Sequence, residues 1–401
     1  MGAKYSINRN NKEDHTKFPF WCGYLPDADA LDILNNKNEF ILRCLPNDSL
    51  SLTLYDGHDK LSNFVLHKDK SAWHLEGQKS SERTSKELIE FYWCTKQAIM
   101  LKGECYRLEF PIFRPVWLLS SAKVCFGDRL GEGAFGIVYR GELVDEGTVV
   151  DVAIKQLVGK KVKQEQLDNL WKEARIMTTL RNENVVRFYG IVNDSKPFSI
   201  VLEYINGPSV QTFLQEDGEN SSDKMRTKIM IGAARGMKYL HLQKPPFLHL
   251  DLATRNLLIH WTGRLKRINN MNTKVADFGL SKRCQRATID TSKPTNLRWM
   301  DPDSFNMSTV DKFTDVYAFG VTLFECFSRP YEIPYSKWSA QKVYEELIQP
   351  TTKRKRLNRP DGMPAEIDNL MASCMRFDRD RENRPSFEDI ERTLTNIYQR
   401  M

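Results

Sequence analysis

Short apolar runs fill the first quarter of the chain, and helical stripes dominate its later part. A helix is predicted over 28–34. Glu39-Phe40-Ile41-Leu42-Arg43 reads as a short apolar strand, and alternation sets Ile41 and Arg43 on one face. Further strands are predicted over 51–55 and 63–67. A helix around 85–92 puts Leu88, Ile89 and Tyr92 on one side. Residues 137–141 and 149–156 read as two successive strands. The helix after them carries Leu167, Leu170, Trp171, Ala174, Met177 and Leu180 as one apolar stripe. Residues 199–205 have the pattern of a buried strand that leaves through Asn206-Gly207. The stretch 315–327 is apolar nearly all round, as an internal helix should be. Ser386 is placed to cap a last helix with acids in its first turn.

Composition bounds this picture. The 401 residues are 41% apolar and 28% charged, enough for a buried core. The net charge of +7 suits anionic ligands such as nucleotides, phosphotyrosine or a lipid surface, and is too diffuse for nucleic acid. The 8 cysteines contain no C-x-x-C pair and read as reduced thiols of an intracellular protein. No apolar run of about 18 residues predicts a membrane-spanning helix, and no secretory signal is visible. Met1-Gly2-Ala3-Lys4-Tyr5-Ser6 matches the pattern for myristoylation of Gly2. Lys4, Arg9, Lys12 and Lys17 favour an anionic surface, and Glu13 and Asp14 oppose it. One myristoyl chain alone binds only marginally. The competing reading is a polar flexible tail over 1–17.

An arginine inside an apolar strand must meet an anion, because an unpaired buried charge is very costly. Arg43 therefore has either an internal salt bridge or a bound anionic group. The segment resembles an SH2 domain. Trp21 stands at its entrance, Phe40-Ile41-Leu42-Arg43 takes the place of the family's F-L-V-R, and Leu88-Ile89-Glu90-Phe91-Tyr92 and Pro111-Ile112 also match. The resemblance implies that Arg43 grips a phosphotyrosine phosphate with a bidentate fork. Asp27 stands where an arginine often helps, Asn63 replaces a histidine, and Cys44-Leu45 follows where hydroxyl-bearing residues are usual. A carboxylate near the pocket repels phosphate, so weak or altered binding that depends on Arg43 is expected.

Leu130-Gly131-Glu132-Gly133-Ala134-Phe135-Gly136-Ile137-Val138 is G-x-G-x-x-G-x-V. Glycines let backbone N–H groups approach phosphates. A dinucleotide fold would run from such glycines into a helix. Here strands follow, which makes a glycine-rich hairpin with Phe135 at its tip. Val152-Ala153-Ile154-Lys155 lies on the second of the strands, and Glu173 lies beside the apolar stripe of the next helix. His249-Leu250-Asp251-Leu252-Ala253-Thr254-Arg255-Asn256 sets an acid five residues before an amide, and Asp277-Phe278-Gly279 follows. Asp251 can accept a hydroxyl proton, and Asn256 can hold a metal through its amide oxygen.

In this order the motifs resemble those of protein kinases. The resemblance implies that Lys155 holds the α- and β-phosphates of ATP and pairs with Glu173. It makes Asp251 the catalytic base and gives Mg2+ to Asn256 and Asp277. Leu130, Gly131, Gly133 and Gly136 belong to the loop over the nucleotide. Adenine would bond the backbone near Glu203 and Ile205, between Val138, Ala153 and Leu258, with Leu202 as gatekeeper. Serine/threonine kinases carry a lysine at the place of Ala253; here the cation is Arg255, which resembles the tyrosine kinases, as does Arg298-Trp299. Asp315 would brace the catalytic loop. From about residue 18 to 398 the chain resembles the SH2-plus-kinase part of cytoplasmic tyrosine kinases, nearest the Fes/Fer group.

The expected fold is α+β in two domains: an SH2-like sheet flanked by helices over 18–112, a linker over 113–123 whose Trp117 packs on a neighbour, and a bilobal kinase fold over 124–398 with a β-rich N-lobe and a helical C-lobe. The expected partners are proteins bearing tyrosine or phosphotyrosine. The expected location is the cytoplasm, or the inner face of the plasma membrane if Gly2 is acylated. Leu250 replaces an arginine that in many kinases binds a phosphorylated loop, and no tyrosine lies between Asp277 and Asp303. Control without tyrosine autophosphorylation is therefore expected, although Thr288, Thr291 and Ser292 remain as hydroxyls. Asp301-Pro302-Asp303 stands for A-P-E, with Asp303 expected to pair with Arg384, and Asn296 replaces a proline. A basic run at 353–356 reads as a solvated loop, and extra residues between Leu258 and Val275 as a longer hairpin. Two other readings stay open: a pseudokinase scaffold and a phosphotyrosine adaptor.

Overall fold

The computed structural model describes residues 14–401 apart from 59, 70, 102, 134–135, 146, 158–163, 264–266, 292–295 and 349–356. Gly2, Phe135, Ser292 and the basic run at 353–356 lie outside the described residues. The chain forms two compact units, one of residues 1–150, 154–158 and 190–201, the other of 151–153, 159–189 and 202–401.

In the first unit β1 (Trp21–Tyr24), β2 (Glu39–Cys44), β3 (Leu50–Tyr55), β4 (Leu61–Lys68), β5 (Trp73–Leu75) and β6 (Ser81–Glu82) succeed one another in a single sheet. β1 joins β2 in parallel, and the following neighbours are antiparallel. Helices α1 (Asp27–Ile33) and α2 (Ser85–Thr95) fall where the periodicity predicts them. Thr84 and Glu87 close a capping box at the start of α2. The β4 pattern alternates buried and half-buried positions, whereas β2 is buried from Glu39 to Arg43. A strand covered on both faces reads as a continuous apolar run, and Arg43 interrupts that run at 0% exposure. Phe40, Leu52, Leu54, Leu88 and Tyr92 belong to its core.

After the short strands β7 (Ile99–Leu101), β8 (Glu104–Tyr106) and β9 (Phe110–Pro111), the linker contributes β10 (Leu118–Leu119) to a second sheet. With β11 (Val124–Gly133), β12 (Gly136–Asp145), β13 (Thr148–Gln156), β14 (Phe188–Val192) and β15 (Ser199–Glu203), its order is β10-β14-β15-β13-β12-β11. Ile191 N–H donates to the Trp117 carbonyl at 2.8 Å. Only glycine fits at 190, where a Cβ would lie 2.4 Å from that carbonyl oxygen.

The first unit runs past the linker because β1 is bonded to residues 193–198. Tyr24 N–H donates to the Asn193 carbonyl at 2.9 Å. Asn193 Nδ2 donates to the carbonyls of Cys22 and Tyr24, each at 2.7 Å. The rings of Tyr24 and Phe198 stack at 5.1 Å. Gly23 has φ 64°, and a Cβ there would sit 2.8 Å from the Asn193 carbonyl oxygen.

The second unit holds α3 (Gln164–Met177), α4 (Val210–Glu216), α5 (Asp223–His241), α6 (Pro302–Asn306), α7 (Lys312–Phe327), α8 (Ala340–Val343), α9 (Ala365–Cys374) and α10 (Phe387–Arg400). Every residue of α7 from Thr314 to Phe327 is buried, and the helix packs on α4, α5 and α9. Ser386 caps α10 in a box with Asp389, as its sequence predicts. The expected hairpin is β17 (Leu257–Trp261) against β18 (Met271–Val275), beyond the short strand β16 (Phe247–Leu248). Farther on, β19 (Lys282–Arg283) pairs with β16, and β20 (Arg286–Thr288) pairs with β21 (Thr309–Asp311). Among the described residues no helix is long and apolar enough to cross a membrane.

Candidate active site

The residues expected to handle nucleotide fall in both units. In the first, β11 and β12 pair through Gly131↔Val138 and Gly133↔Gly136, which is the hairpin the glycine spacing predicts. Gly136 has φ 137°, and a Cβ there would sit 2.0 Å from the Gln156 carbonyl oxygen. Leu130 is exposed, and Val138 and Lys155 are half-buried. In the second unit Glu173 is buried on α3, and Ala153, Leu202 and Leu258 are half-buried. Glu203 Oε2 accepts from Lys274 at 2.9 Å and from the Arg187 N–H at 3.1 Å.

The loop of residues 249–256 is built downward from Asp315. Its two carboxylate oxygens, wholly buried on α7, accept the N–H groups of His249 and Leu250 at 2.8 Å each. His241 Nε2 adds a third contact at 2.9 Å. A buried carboxylate with several donors is well satisfied, and here it fixes the turn that presents Asp251. Leu250 takes φ 66° in that turn, a costly conformation for a side chain of its type.

Three side chains hold the Asp251 carboxylate. Arg255 Nη2 donates to Oδ1 at 2.5 Å, and Asn296 Nδ2 donates to the same oxygen. Asn256 Nδ2 donates to Oδ2 at 2.8 Å and to the Asp251 carbonyl at 2.7 Å. Both N–H groups of Asn256 are thereby used on Asp251, which turns its amide oxygen the other way. That amide oxygen and the Asp277 carboxylate, whose backbone has φ 63°, are each hard oxygen donors of the kind Mg2+ takes. Among the described residues no cluster of three His, Cys, Asp or Glu could hold a metal ion.

Sequence reasoning missed Glu325. This wholly buried acid accepts from Thr254 Oγ1 at 2.8 Å, Trp299 Nε1 at 2.7 Å and the Tyr331 hydroxyl at 2.9 Å. Burial pushes its carboxyl above the usual range although these donors oppose the shift. The Arg255 guanidinium lies 4.6 Å from the centre of the Trp299 ring, so Glu325 fixes the platform beneath Arg255. The signal was present: a buried acid in the last turn of an apolar helix needs donors.

The A-P-E-like segment keeps the expected pair of Asp303 with Arg384 and adds a nearer one. Asp303 is 3.6 Å from Arg384, but Asp301 is the nearer partner. It accepts both Nη groups of Arg384 at 2.9 Å and Nε of Arg381 at 3.0 Å. Asp301 stands at the first position of the motif, and its carboxylate reaches the arginine before the one at 303 does.

Leu250, Leu280, Ile289, Met300 and Phe305 line a cavity of about 240 Å3 beside the loop of residues 249–256. The cations that line it are Lys172 and Lys282. Burial and then the Lys282 charge hold Lys172 below its ordinary pKa.

The Arg43 pocket is filled from within. Nε donates to Thr53 Oγ1 at 2.8 Å, Nη1 to the Leu25 carbonyl, and Nη2 to Asp27 and to Asn63 Oδ1 at 3.0 Å. Of the two fates open to a strand arginine, the structure supplies the internal salt bridge.

A family model described as protein tyrosine and serine/threonine kinase matches residues 124–394. The chain is similar to tyrosine-protein kinase Fer of Homo sapiens, at 28% identity over 95% of the chain and 44% of that protein. It is similar to the transforming protein Fps of Avian sarcoma virus (strain PRCII), at 28% identity over 95% of the chain and 68% of that protein. Fer-related kinase 1 of Caenorhabditis elegans is 26% identical over 100% of the chain and 99% of its own length. The chain thus spans less than half the length of the human relative.

Proposed function

The chain belongs to the protein tyrosine and serine/threonine kinase family, and from that premise we propose that it is a non-receptor tyrosine kinase, moving the γ-phosphoryl group of ATP to a protein tyrosine. The carrying observation is the Asp251 carboxylate, fixed by Arg255 and Asn256 on the loop braced by Asp315. The tyrosine hydroxyl donates its proton to that carboxylate as its oxygen bonds to the γ-phosphorus, and ADP departs with the electrons of the broken P–O bond. Lys155 steadies the α- and β-phosphates. Magnesium, held by Asn256 and Asp277, would neutralise charge on the phosphates. The remaining work is positioning, which can supply a large part of a rate enhancement.

Arg255 supports the choice of tyrosine, because the cation near the base comes four residues after it rather than from position 253. The first module serves intramolecular docking in this reading. Its support is the set of bonds from Asn193 to β1, together with an Arg43 already engaged by Asp27. Membrane contact through an acylated Gly2 at the cytoplasmic face remains part of the proposal on the strength of the N-terminal motif alone. A mass spectrum of the native protein with an unacylated Gly2 would remove it.

The test is transfer from ATP and magnesium to a pool of tyrosine- and serine-containing peptides, with Asp251→Asn alongside. Asp251-dependent phosphotyrosine is expected. Phosphoserine alone would refute the reading of Arg255. Nucleotide binding without transfer, in a folded preparation, would favour a scaffold.

A further inference from the structure

Among the described residues, Asn296 is the one side chain hydrogen-bonded to Asp251 that comes from outside the catalytic loop. Arg255 and Asn256 follow the base within five residues, whereas Asn296 lies 45 residues on. It opens the segment that continues into Arg298 and Trp299. Its own carbonyl accepts from the N–H of Trp299 at 2.9 Å and of Met300 at 3.2 Å. The segment is anchored beyond it, where Arg298 donates to the carbonyls of Pro334 at 3.0 Å and Trp338 at 2.6 Å. A fixed piece of chain therefore reaches back to the catalytic carboxylate through one amide.

The chemistry of that contact is one-sided. An ionised carboxylate only accepts hydrogen bonds, so the amide must present its N–H2 to Asp251. A carboxylate offers about four acceptor positions. Arg255 and Asn296 take two at Oδ1, and Asn256 takes one at Oδ2. The position left over is on Oδ2, so a substrate hydroxyl has one oxygen to approach.

The backbone restricts who can do this. Asn296 has φ 58°, in the left-handed region where asparagine, aspartate and glycine are tolerated and most side chains are not. Glycine fits the backbone but brings no donor. Aspartate fits the backbone but brings an acceptor against an acceptor. Among these three residues asparagine alone meets both demands.

We propose that Asn296 is a positioning residue for phosphoryl transfer, closing Oδ1 of Asp251 so that the substrate hydroxyl meets Oδ2. The proposal rests on Asp251 being the base of the reaction described above. It assigns to the segment before Arg298 a part in the chemical step.

The experiment compares native chain, Asn296→Gly, Asn296→Asp and Asp251→Asn in steady-state transfer to a tyrosine peptide, with thermal midpoints measured in parallel. Loss of one charge-assisted hydrogen bond should lower kcat of Asn296→Gly by about ten- to a hundredfold. The KM values for peptide and ATP should change by less than about threefold, because the contact touches neither ligand. Asn296→Asp, equal in size and backbone preference, should be slower still. A merely structural role would show as a lowered midpoint with kcat retained at a temperature where the variant is folded. Unchanged kcat in Asn296→Gly, a rise in peptide KM alone, or an Asn296→Asp faster than the glycine variant would overturn the assignment while leaving Asp251 as base. Transfer by the native chain that persists in Asp251→Asn, or no transfer by a folded native chain, would overturn both together.

Discussion

The carboxylate of Asp27 stands against Nη2 of Arg43, pairing a side chain that is 66% exposed with a guanidinium that is wholly buried. Thr53, Asn63 and the Leu25 carbonyl take other donors of the same guanidinium. The pairing is lopsided: the arginine cannot leave, and the aspartate can. Asp27→Ala should therefore free a donor facing solvent without dismantling the pocket. A tyrosine-phosphorylated peptide is expected to bind this variant at least about tenfold more tightly than the native chain, a change of about 1.4 kcal/mol. Calorimetric titration with phosphorylated and unphosphorylated forms of one peptide would decide it. Equal affinities of native chain and variant would mean that Asp27 is not what keeps phosphate out.

Asn193 tests the docking role of the first module. Its side chain is 1% exposed and supplies both N–H groups to carbonyls of β1. Asn193→Asp keeps the volume, removes both donors and sets a charge beside the two carbonyls. Each orphaned buried carbonyl should cost about 1–3 kcal/mol, seen as a lower thermal midpoint. If docking supports catalysis, kcat falls as well at a temperature where the variant is still folded. A destabilised variant with native turnover would leave the junction structural and nothing more.

Much of this molecule could be read from the chain because its key contacts are local. The glycine hairpin, the acid and amide of Asp251 and Asn256, and the Ser386 cap each join residues within about five positions, and spacing alone specifies them. Arg43 was legible in a weaker sense. A charge in an apolar strand demanded a partner, and Asp27 stood out as a misplaced acid, but which anion wins is decided in three dimensions. Asn193 carried no signal, since its partners on β1 lie 169 and 171 residues away. Asn296 was visible only as a departure from a proline. Its bond to Asp251 depends on a left-handed φ that a sequence does not print.

Glu325 offers a sharper check on the buried platform. One carboxylate serves donors from Thr254, Trp299 and Tyr331. Glutamine has a single acceptor oxygen, and its N–H2 would face one of those donors. Glu325→Gln should thus cost about 1–3 kcal/mol in unfolding free energy and loosen Trp299 beneath Arg255. Denaturant titration gives the first number, and the Trp299→Phe background, which lacks the indole donor, should shrink it. A glutamine variant as stable as the native chain would show that these donors do not need a charge.

Asp301 sets the acid limit of the fold. Burial alone would raise its pKa, but the hydrogen bonds and charge of Arg384, joined by Arg381, outweigh it and hold the carboxyl below its ordinary 3.8. Asp311 is held low in the same manner against its own burial, chiefly by Arg381. A folded-state pKa below the unfolded one means that the unfolded chain binds protons first as pH falls. The stabilisation from these pairs is therefore complete above about pH 4 and is lost as pH drops through the lower folded values. Asp301→Asn removes the charge and leaves two buried guanidiniums facing an amide, at an expected cost of about 3–5 kcal/mol near neutral pH. Because the variant has nothing left to protonate at this position, its unfolding free energy should depend less on pH between about 2 and 5 than that of the native chain. Parallel acid-dependent slopes for the two proteins would place the acid limit elsewhere, even if the loss at neutral pH were as large as expected.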